Sequence, residues 1–420
     1  MTASQLRCHY FEAGRCRSCS LIETAYDAQL LEKERRCREL LREAHDAVWL
    51  PTFTAGDRGF RNRAKLVVGG NAGGPVTLGI LGPDGRGVDL RECAIQAPGI
   101  ASVIAELASF IEVTGLAPYD VPARQGELKF VHVTEAPDGA LMLRFVVRSD
   151  AGCAVVRSHL SVLQQRVPQA SVISVNLLPE HKAVLEGERE VLLVGESLPM
   201  QLGLDGWPLT LHLRPQSFFQ TNTGVARALY AQVADWVAAR SPRSLWDLYC
   251  GVGGFALHCA AAIELRRAPA QTQTQAGAAA AGGGGAGDVT GPAAVGGACE
   301  VLGVELSEAA VQSAQRSSSE ANLQATFIAA DATQFALNAT RDERPEVLIV
   351  NPPRRGLGQQ LAQWIESSGI DCVVYSSCNP DSLARDLALM PSYRIDSARV
   401  FDMFPHTTHL EVAILLSRNF

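Results

Sequence analysis

Residues Asp247-Leu-Tyr-Cys-Gly-Val-Gly-Gly-Phe255 decide how the second half of this 420-residue chain folds. The run Ser244-Leu-Trp-Asp-Leu-Tyr249 leading into them has the length and composition of a buried strand, and a helix is expected to open after the glycines. Such a turn presents backbone N–H groups at a helix N-terminus, and Gly251 and Gly253 let the backbone approach a ligand there. The spacing is G-x-G-G, which does not fit the G-x-G-x-x-G fingerprint of dinucleotide folds. Working outward, Cys299–Glu305, Glu346–Asn351 and Asp371–Ser377 are three more short apolar runs separated by helix-length segments. They predict parallel strands with crossover helices, a doubly wound Rossmann-like α/β domain over residues 206–420. Val412–Leu416 is expected as a late edge strand.

Between the glycine loop and the second strand lie the 31 residues 268–298, of which 11 are Ala and 9 are Gly. Nothing there can build a core, so a flexible surface insertion is expected, which the slow growth of loop-closure entropy tolerates. Glu305 ends the second strand 54 residues after Gly251; removing the 31 inserted residues leaves 23. That is close to the spacing of about 20 at which a strand-end acid binds ribose hydroxyls. Asp331 is the corresponding third-strand acid for an adenine amino group. Ribose and adenine contacts without a pyrophosphate cradle point to S-adenosylmethionine. The competing reading makes Glu305 a solvated strand-end charge.

Composition narrows the class. The chain is 47% hydrophobic and 19% charged with net charge −7, which excludes wholesale disorder and a globally basic nucleic-acid binder, but not a local basic groove. No run reaches 18 apolar residues and no apolar segment follows the first residues, so neither a membrane span nor a signal peptide is expected. Eleven cysteines without a secretion signal suit metal or catalytic thiols in a reducing cytoplasm better than a disulfide framework. The first half reads as an α+β region. It has a helix over Thr24–Glu43 with Glu32/Arg36 and Glu34/Arg38 pairs, then strand-like runs at 64–69, 128–133, 141–148 and 172–178. Units at 1–95 and 96–205 are expected to precede the 206–420 domain.

Three motifs carry chemistry. Asn351-Pro-Pro-Arg-Arg-Gly356 follows a strand, so Asn351 belongs at the ligand crevice. Arg354 stands where enzymes that methylate exocyclic amines often carry a base-stacking aromatic, which argues against that reaction. Ser376-Ser-Cys-Asn-Pro380 places Cys378 at the same edge, where a thiolate can act as a nucleophile; a packing thiol, as expected for Cys372, is the alternative. Glu411 lies between Leu410 and Val412, and a carboxylate in apolar surroundings suits proton transfer near neutrality. Its alternative is a structural carboxylate bonded to His406 or His409. One thiol and one base suffice for methylation at C5 of uracil. Cytosine-C5 RNA enzymes of the two-cysteine type place a second cysteine after Pro-Pro, where this chain has Arg354 and Arg355.

These motifs, with Arg214-Pro-Gln-Ser-Phe-Phe-Gln-Thr-Asn222 and Asp402-Met-Phe-Pro-His-Thr-Thr-His-Leu-Glu411, resemble the RNA 5-methyluridine methyltransferases over nearly the whole chain outside the insertion. The resemblance implies that Gln220, Tyr249, Glu305 and Asn351 contact S-adenosylmethionine, that Cys378 is the nucleophile and Glu411 the base, and that 23S rRNA is the partner. Tyr249 departs from the Phe that relatives often carry. Cys8-x7-Cys16-x2-Cys19 and the distant Cys93 offer four thiolates, which suit a zinc ion or a [4Fe–4S] cluster, and spacing does not separate the two. The resemblance implies the iron–sulfur cluster. Arg58-Gly-Phe-Arg-Asn-Arg-Ala-Lys65 sets four cations around Phe60 and reads as a phosphate-tracking strand with a stacking ring, or else as a solvated charged face. A uridine in structured RNA must leave its stack to reach Cys378. The small β-barrel module with which relatives often begin is expected to be absent, favouring the shorter of the family's 23S rRNA enzymes, and the cysteines argue against its transfer-RNA branch. A monomer with no DNA or membrane partner is expected.

Overall fold

Chain order and spatial order differ sharply in this protein. The structure is a computed structural model describing residues 6–41, 46–70, 75–267 and 298–419. A helix over Tyr26–Leu40 precedes strand β1 (Val48–Phe53). Then come β2 (Arg63–Gly69), β3 (Thr77–Leu81), β4 (Gly87–Asp89), β5 (Leu128–Glu135), β6 (Leu141–Val147), β7 (Ala170–Leu177) and β8 (Arg189–Val194). They form one seven-stranded sheet in the order β4-β3-β2-β5-β6-β7-β8, antiparallel except at β6–β7. Period-two alternation sends Ala64, Leu66, Val68, Val131, Val133, Leu143 and Phe145 to one face. There they pack against the helix Pro98–Thr114, which starts with proline in its first turn and ends at left-handed Gly115. The intervening residues, among them Arg63, Lys65, His132 and Arg144, occupy the other face.

A hairpin, β9 (Leu198–Gln201) and β10 (Thr210–Leu213), leads to the helix Thr223–Arg240. The second large sheet then follows: β11 (Ser244–Leu248), β12 (Glu300–Glu305), β13 (Ala325–Ala329), β14 (Val347–Val350), β15 (Cys372–Ser377), β16 (Tyr393–Phe401) and β17 (Glu411–Arg418). Its order is β1-β16-β17-β15-β14-β11-β12-β13, with β11 to β15 paired in parallel. One face packs on the helices Thr223–Arg240 and Gly254–Arg267, the other on Gln359–Ser368. Coverage of both faces is why these strands read as unbroken apolar runs. Among the described residues no helix is long and apolar enough to cross a membrane.

Several expectations need correction. Val412–Leu416 is interior, antiparallel to both β15 and β16. The sheet is not confined to 206–420: β1 pairs in parallel with β16, Val48 opposite Ser397, and covers an edge that would otherwise be open. The expected boundary at 95/96 falls inside one sheet, because β2 pairs with β5 across it. The helix expected over Thr24–Glu43 forms over Tyr26–Leu40; Glu34 pairs with Arg38, but Arg36 reaches Asp381 and Glu32 holds Arg35. The Ala/Gly-rich insertion lies, except for Ala298, outside the described residues. Its flanks, the end of Gly254–Arg267 and the start of β12, sit at the amino-terminal end of the parallel strands.

Candidate active site

The glycine loop turns sharply at the carboxyl end of β11. Tyr249, Gly251 and Gly253 have φ of +66°, +55° and +84°. A Cβ on Gly254 would sit 2.6 Å from the Tyr230 ring, so glycine lets the helix Gly254–Arg267 pack against Thr223–Arg240. Glu305, ending β12, is fixed by this loop: Oε2 accepts from the Gly251 N–H (3.1 Å) and Oε1 from the Ser307 N–H (3.0 Å). The Tyr249 hydroxyl lies 3.4 Å from Thr333 Oγ1. Asp331 caps the helix Ala332–Asn338, accepting from the Gln334 N–H at 2.8 Å. Gln220 is buried, and its carbonyl accepts from Asn62 Nδ2 (3.1 Å), which ties its loop to the region just before β2.

Asp247 was not singled out from the sequence. It is fully buried in β11; Oδ2 accepts from the Ala256 N–H (3.0 Å) and Oδ1 has no partner. Burial, reinforced by the charge of Glu305, pushes its carboxyl up to about 8. The available signal was an acid inside the apolar run Leu245-Trp-Asp-Leu248.

Cys378, Glu411 and Asn351 meet at the carboxyl ends of β14 and β15. Glu411 opens β17 and is 1% exposed. Its Oε1 accepts from Ser376 Oγ (2.6 Å) and Asn351 Nδ2 (3.1 Å), and Asn351 also donates to the Ser376 carbonyl (3.0 Å). Burial raises the Glu411 carboxyl to about 7 against the opposing pull of those two hydrogen bonds. Cys378 is half-buried just beyond β15. Burial and the charge of Glu411 push its thiol up, and Arg354 pulls it down. Neither histidine holds Glu411: Nε2 of His406 lies 2.9 Å from the Asp57 carbonyl, and Nδ1 of His409 lies 2.9 Å from Arg354 Nη2.

The segment 402–410 leading into Glu411 is clamped by the N-terminal helix. Lys33, 3% exposed, pairs with the fully buried Asp402 and donates to the Phe404 carbonyl (3.0 Å). The Tyr26 hydroxyl donates to Asp402 Oδ2 (2.6 Å). Gln29 Oε1 accepts from the His406 N–H (3.0 Å), and the Leu21 N–H donates to the His406 carbonyl (2.9 Å).

Cys8, Cys16, Cys19 and Cys93 share one patch. The Glu92 N–H donates to the Tyr10 hydroxyl (3.0 Å), joining the Cys93 turn to the first cysteine loop. Burial, then the charges of Cys93, Cys16 and Cys8, push the Cys19 thiol up to about 12. Among the described residues no three His, Cys, Asp or Glu side chains are set in metal-holding geometry, so the four thiols are gathered without a formed coordination shell. The basic run also needs correction. Phe60 is buried and cannot stack on a base, and Arg63 donates to the carbonyls of Ser217 (2.9 Å) and Pro215 (3.1 Å). Arg63 and Lys65 alternate with buried residues at the start of β2, and Arg63 buttresses the loop bearing Gln220; of the four cations, only Arg58 is well exposed.

Known proteins resemble this chain in sequence and in fold. The family model described as tRNA (Uracil-5-)-methyltransferase matches residues 298–419. A protein named 23S rRNA (uracil(747)-C(5))-methyltransferase RlmC from Halothiobacillus neapolitanus is 42% identical, covering 98% of this chain and 100% of its own. One of the same name from Pectobacterium carotovorum subsp. carotovorum is 41% identical with the same coverage. The crystal structure of Pyrococcus abyssi tRNA (uracil-54, C5)-methyltransferase in complex with S-adenosyl-L-homocysteine shares the fold, with TM-score 0.71 over 99% of this chain and 86% of that one at 24% identity.

Proposed function

The chain belongs to the RNA uracil-C5 methyltransferases, and on that premise we propose that it methylates C5 of a uridine in 23S rRNA, the substrate in the names of its 23S relatives. The observation that carries the reading is Cys378 close enough to Glu411 to feel its charge, with Glu411 bonded to Asn351, at the same end of the sheet as the glycine loop.

S-adenosylmethionine, when bound, supplies an electrophilic methyl group. The glycine turn, the Glu305 carboxylate and the unpartnered buried Oδ1 of Asp247 fit such a ligand, and Gln220, Tyr249, Glu305 and Asn351 would hold it. C5 of uracil is a weak nucleophile. Burial and Glu411 hold the Cys378 thiol up while Arg354 pulls it toward the thiolate. Once the thiol has lost its proton to solvent, the thiolate adds to C6, and the C5–C6 electron pair moves into an enolate whose nucleophilic carbon is C5. After C5 is methylated, the Glu411 carboxylate takes the C5 proton, the C5–C6 double bond re-forms and the C6–S bond breaks, returning the thiolate. A carboxyl near 7 is partly ionised at neutral pH, so Glu411 can take that proton and release it to solvent. The target base reaches Cys378 by leaving its stack.

The four gathered thiols of Cys8, Cys16, Cys19 and Cys93 would hold a [4Fe–4S] cluster, bracing the N-terminal segment that clamps residues 402–410. Iron and acid-labile sulfide in purified protein, lost together in Cys93→Ser, would support it; stoichiometric zinc would replace it.

The main test is a trap. Wild type, Cys378→Ala and S-adenosylmethionine are mixed with 23S rRNA containing 5-fluorouridine, whose fluorine cannot leave as a proton. A methylated covalent adduct on a denaturing gel with wild type alone is expected. Methyl label reaching unsubstituted RNA with no adduct would overturn the thiolate mechanism, and neither label nor adduct would overturn the rRNA reading.

A further inference from the structure

Away from the crevice, the face of the seven-stranded sheet opposite its helices bears a cavity of about 570 Å³. It lies between β2, β3 and β5 and the segment 181–185 that follows β7. Val67 and Phe130 line it, Lys65, Lys129 and Lys182 reach it, and Val184 and Leu185, each 44% exposed, form an apolar rim. The volume is that of a small-ligand site. Three ammonium groups beside an aromatic ring are a local exception in a chain of net charge −7.

The cations differ in what they already hold. Lys129 donates to the Glu180 carbonyl (2.5 Å) and lies over the Tyr119 ring. Lys182 is only loosely paired, 3.9 Å from the Glu180 carboxylate, and its side chain is 64% exposed. Lys65 makes no hydrogen bond among the described residues, and Glu186, the acid nearest it in charge, is bound to Arg144.

A polar row lies on the same face, behind the cavity wall rather than in its lining. His132 stands opposite Lys65 on β5, with its ring 6.1 Å from that of Phe130. It is 2% exposed, yet neither ring nitrogen has a partner. Arg144 flanks it on β6, and Ser174, opposite Arg144 on β7, also has an unpartnered hydroxyl. Hydrogen-bonding capacity left open in a buried row beside a cavity is costly unless something satisfies it. Strand β2 also connects this face to the methyl-transfer site: Arg63, roughly 7 Å along the strand from Lys65, holds the loop that carries Gln220.

We propose that this cavity holds one unstacked nucleotide of the RNA substrate, distinct from the target uridine, with its base against Phe130 and Val67 and its flanking phosphates on Lys65 and Lys182. An apolar pocket with one aromatic wall and cations at the mouth is how single-stranded nucleic acid is gripped without sequence readout. The assignment rests on the RNA substrate argued above.

The test measures the Kd of an unmodified 23S rRNA fragment, and methyl transfer to it, for wild type, Phe130→Ala and Lys182→Ala, with S-adenosylhomocysteine binding as a check of folding. Phe130→Ala should weaken RNA binding about tenfold, within the range for loss of one base stack. Lys182→Ala should flatten the dependence of log Kd on log salt by about 0.7, the value for one phosphate contact to a single strand. In both variants the loss should appear in KM and be recovered at saturating RNA. Wild-type Kd and salt slope in both variants, while wild type methylates the fragment, would overturn the cavity assignment and leave the methyltransferase reading standing. RNA binding that weakens as predicted, without methylation by wild type, would support the cavity and overturn the activity. Uridine 5′-monophosphate binding that is lost in Phe130→Ala, with rRNA affinity unchanged, would overturn the cavity's role with RNA.

Discussion

Replacing Glu411 by glutamine should stabilise the protein at alkaline pH while stopping turnover. Burial holds the Glu411 carboxyl at about 7, against 4.5 in the unfolded chain. Between those values the folded protein keeps a proton that the unfolded chain has released, so stability falls as pH rises through this window. By pH 8 the ionised carboxylate costs on the order of 3 kcal/mol, from a shift of roughly 2.5 pH units at about 1.4 kcal/mol each. Glutamine carries no such dependence. Both hydrogen bonds to the carboxylate end on Oε1, so an amide oxygen at that position can accept from Ser376 and Asn351 alike. Urea unfolding of wild type and Glu411→Gln at pH 5 and pH 8 measures the effect. The variant should gain roughly 2 to 3 kcal/mol on wild type between the two, and on unmodified RNA it should accumulate the methylated covalent adduct, since the C5 proton then has no base. An equal stability difference at both pH values would refute a carboxyl held protonated by burial, and the base assignment would lose its physical ground.

Other outcomes follow from the same geometry. Lys33→Ala leaves Asp402 buried without its cation and should cost about 3–5 kcal/mol in urea unfolding, whereas Lys33→Met with Asp402→Leu should recover much of that. Glu305→Gln weakens the charged acceptor of the Gly251 N–H, and calorimetry should show S-adenosylhomocysteine binding weakened about tenfold, or ~1.4 kcal/mol. Gly254→Ala forces a methyl to 2.6 Å from the Tyr230 ring, and thermal unfolding should register about 1–3 kcal/mol of overpacking.

What could be read beforehand was local. The strands at 244–249, 299–305, 346–351 and 371–377 announce themselves because each is covered on both faces and bounded by turns. Glu305 could be placed once the inserted residues were subtracted. Partners distant in sequence left no such trace. Val48–Phe53, with Pro51 inside it, is a weak strand signal, and proline there suits the edge position it takes beside β16. Nothing in Val412–Leu416 distinguishes an edge from the interior, since an apolar run reports burial and not neighbours. Lys33 looks like one more charge in a helix rich in Glu and Arg, and its meaning lies in Asp402, 369 residues away. The basic run hides an alternation behind its charge: Phe60, Asn62 and Ala64 are buried between Arg61, Arg63 and Lys65, the signature of a strand packed on one side. Asp247 could have been suspected from an acid within an apolar strand, but its unpartnered oxygen is visible only in three dimensions.

The pairing of β1 with β16 has a consequence for how the chain is made. Val48 must wait for Ser397, which is 349 residues further along. At 5–20 residues per second, synthesis leaves that strand without its neighbour for roughly 20 to 70 s. The carbonyl of His406, which receives the Leu21 N–H, arrives later still. Cys8, Cys16 and Cys19 therefore emerge from the ribosome long before the surface that covers their segment exists, and Cys93 joins them well within that interval. Those thiols are thus open to solvent chemistry before the second large sheet closes over their segment.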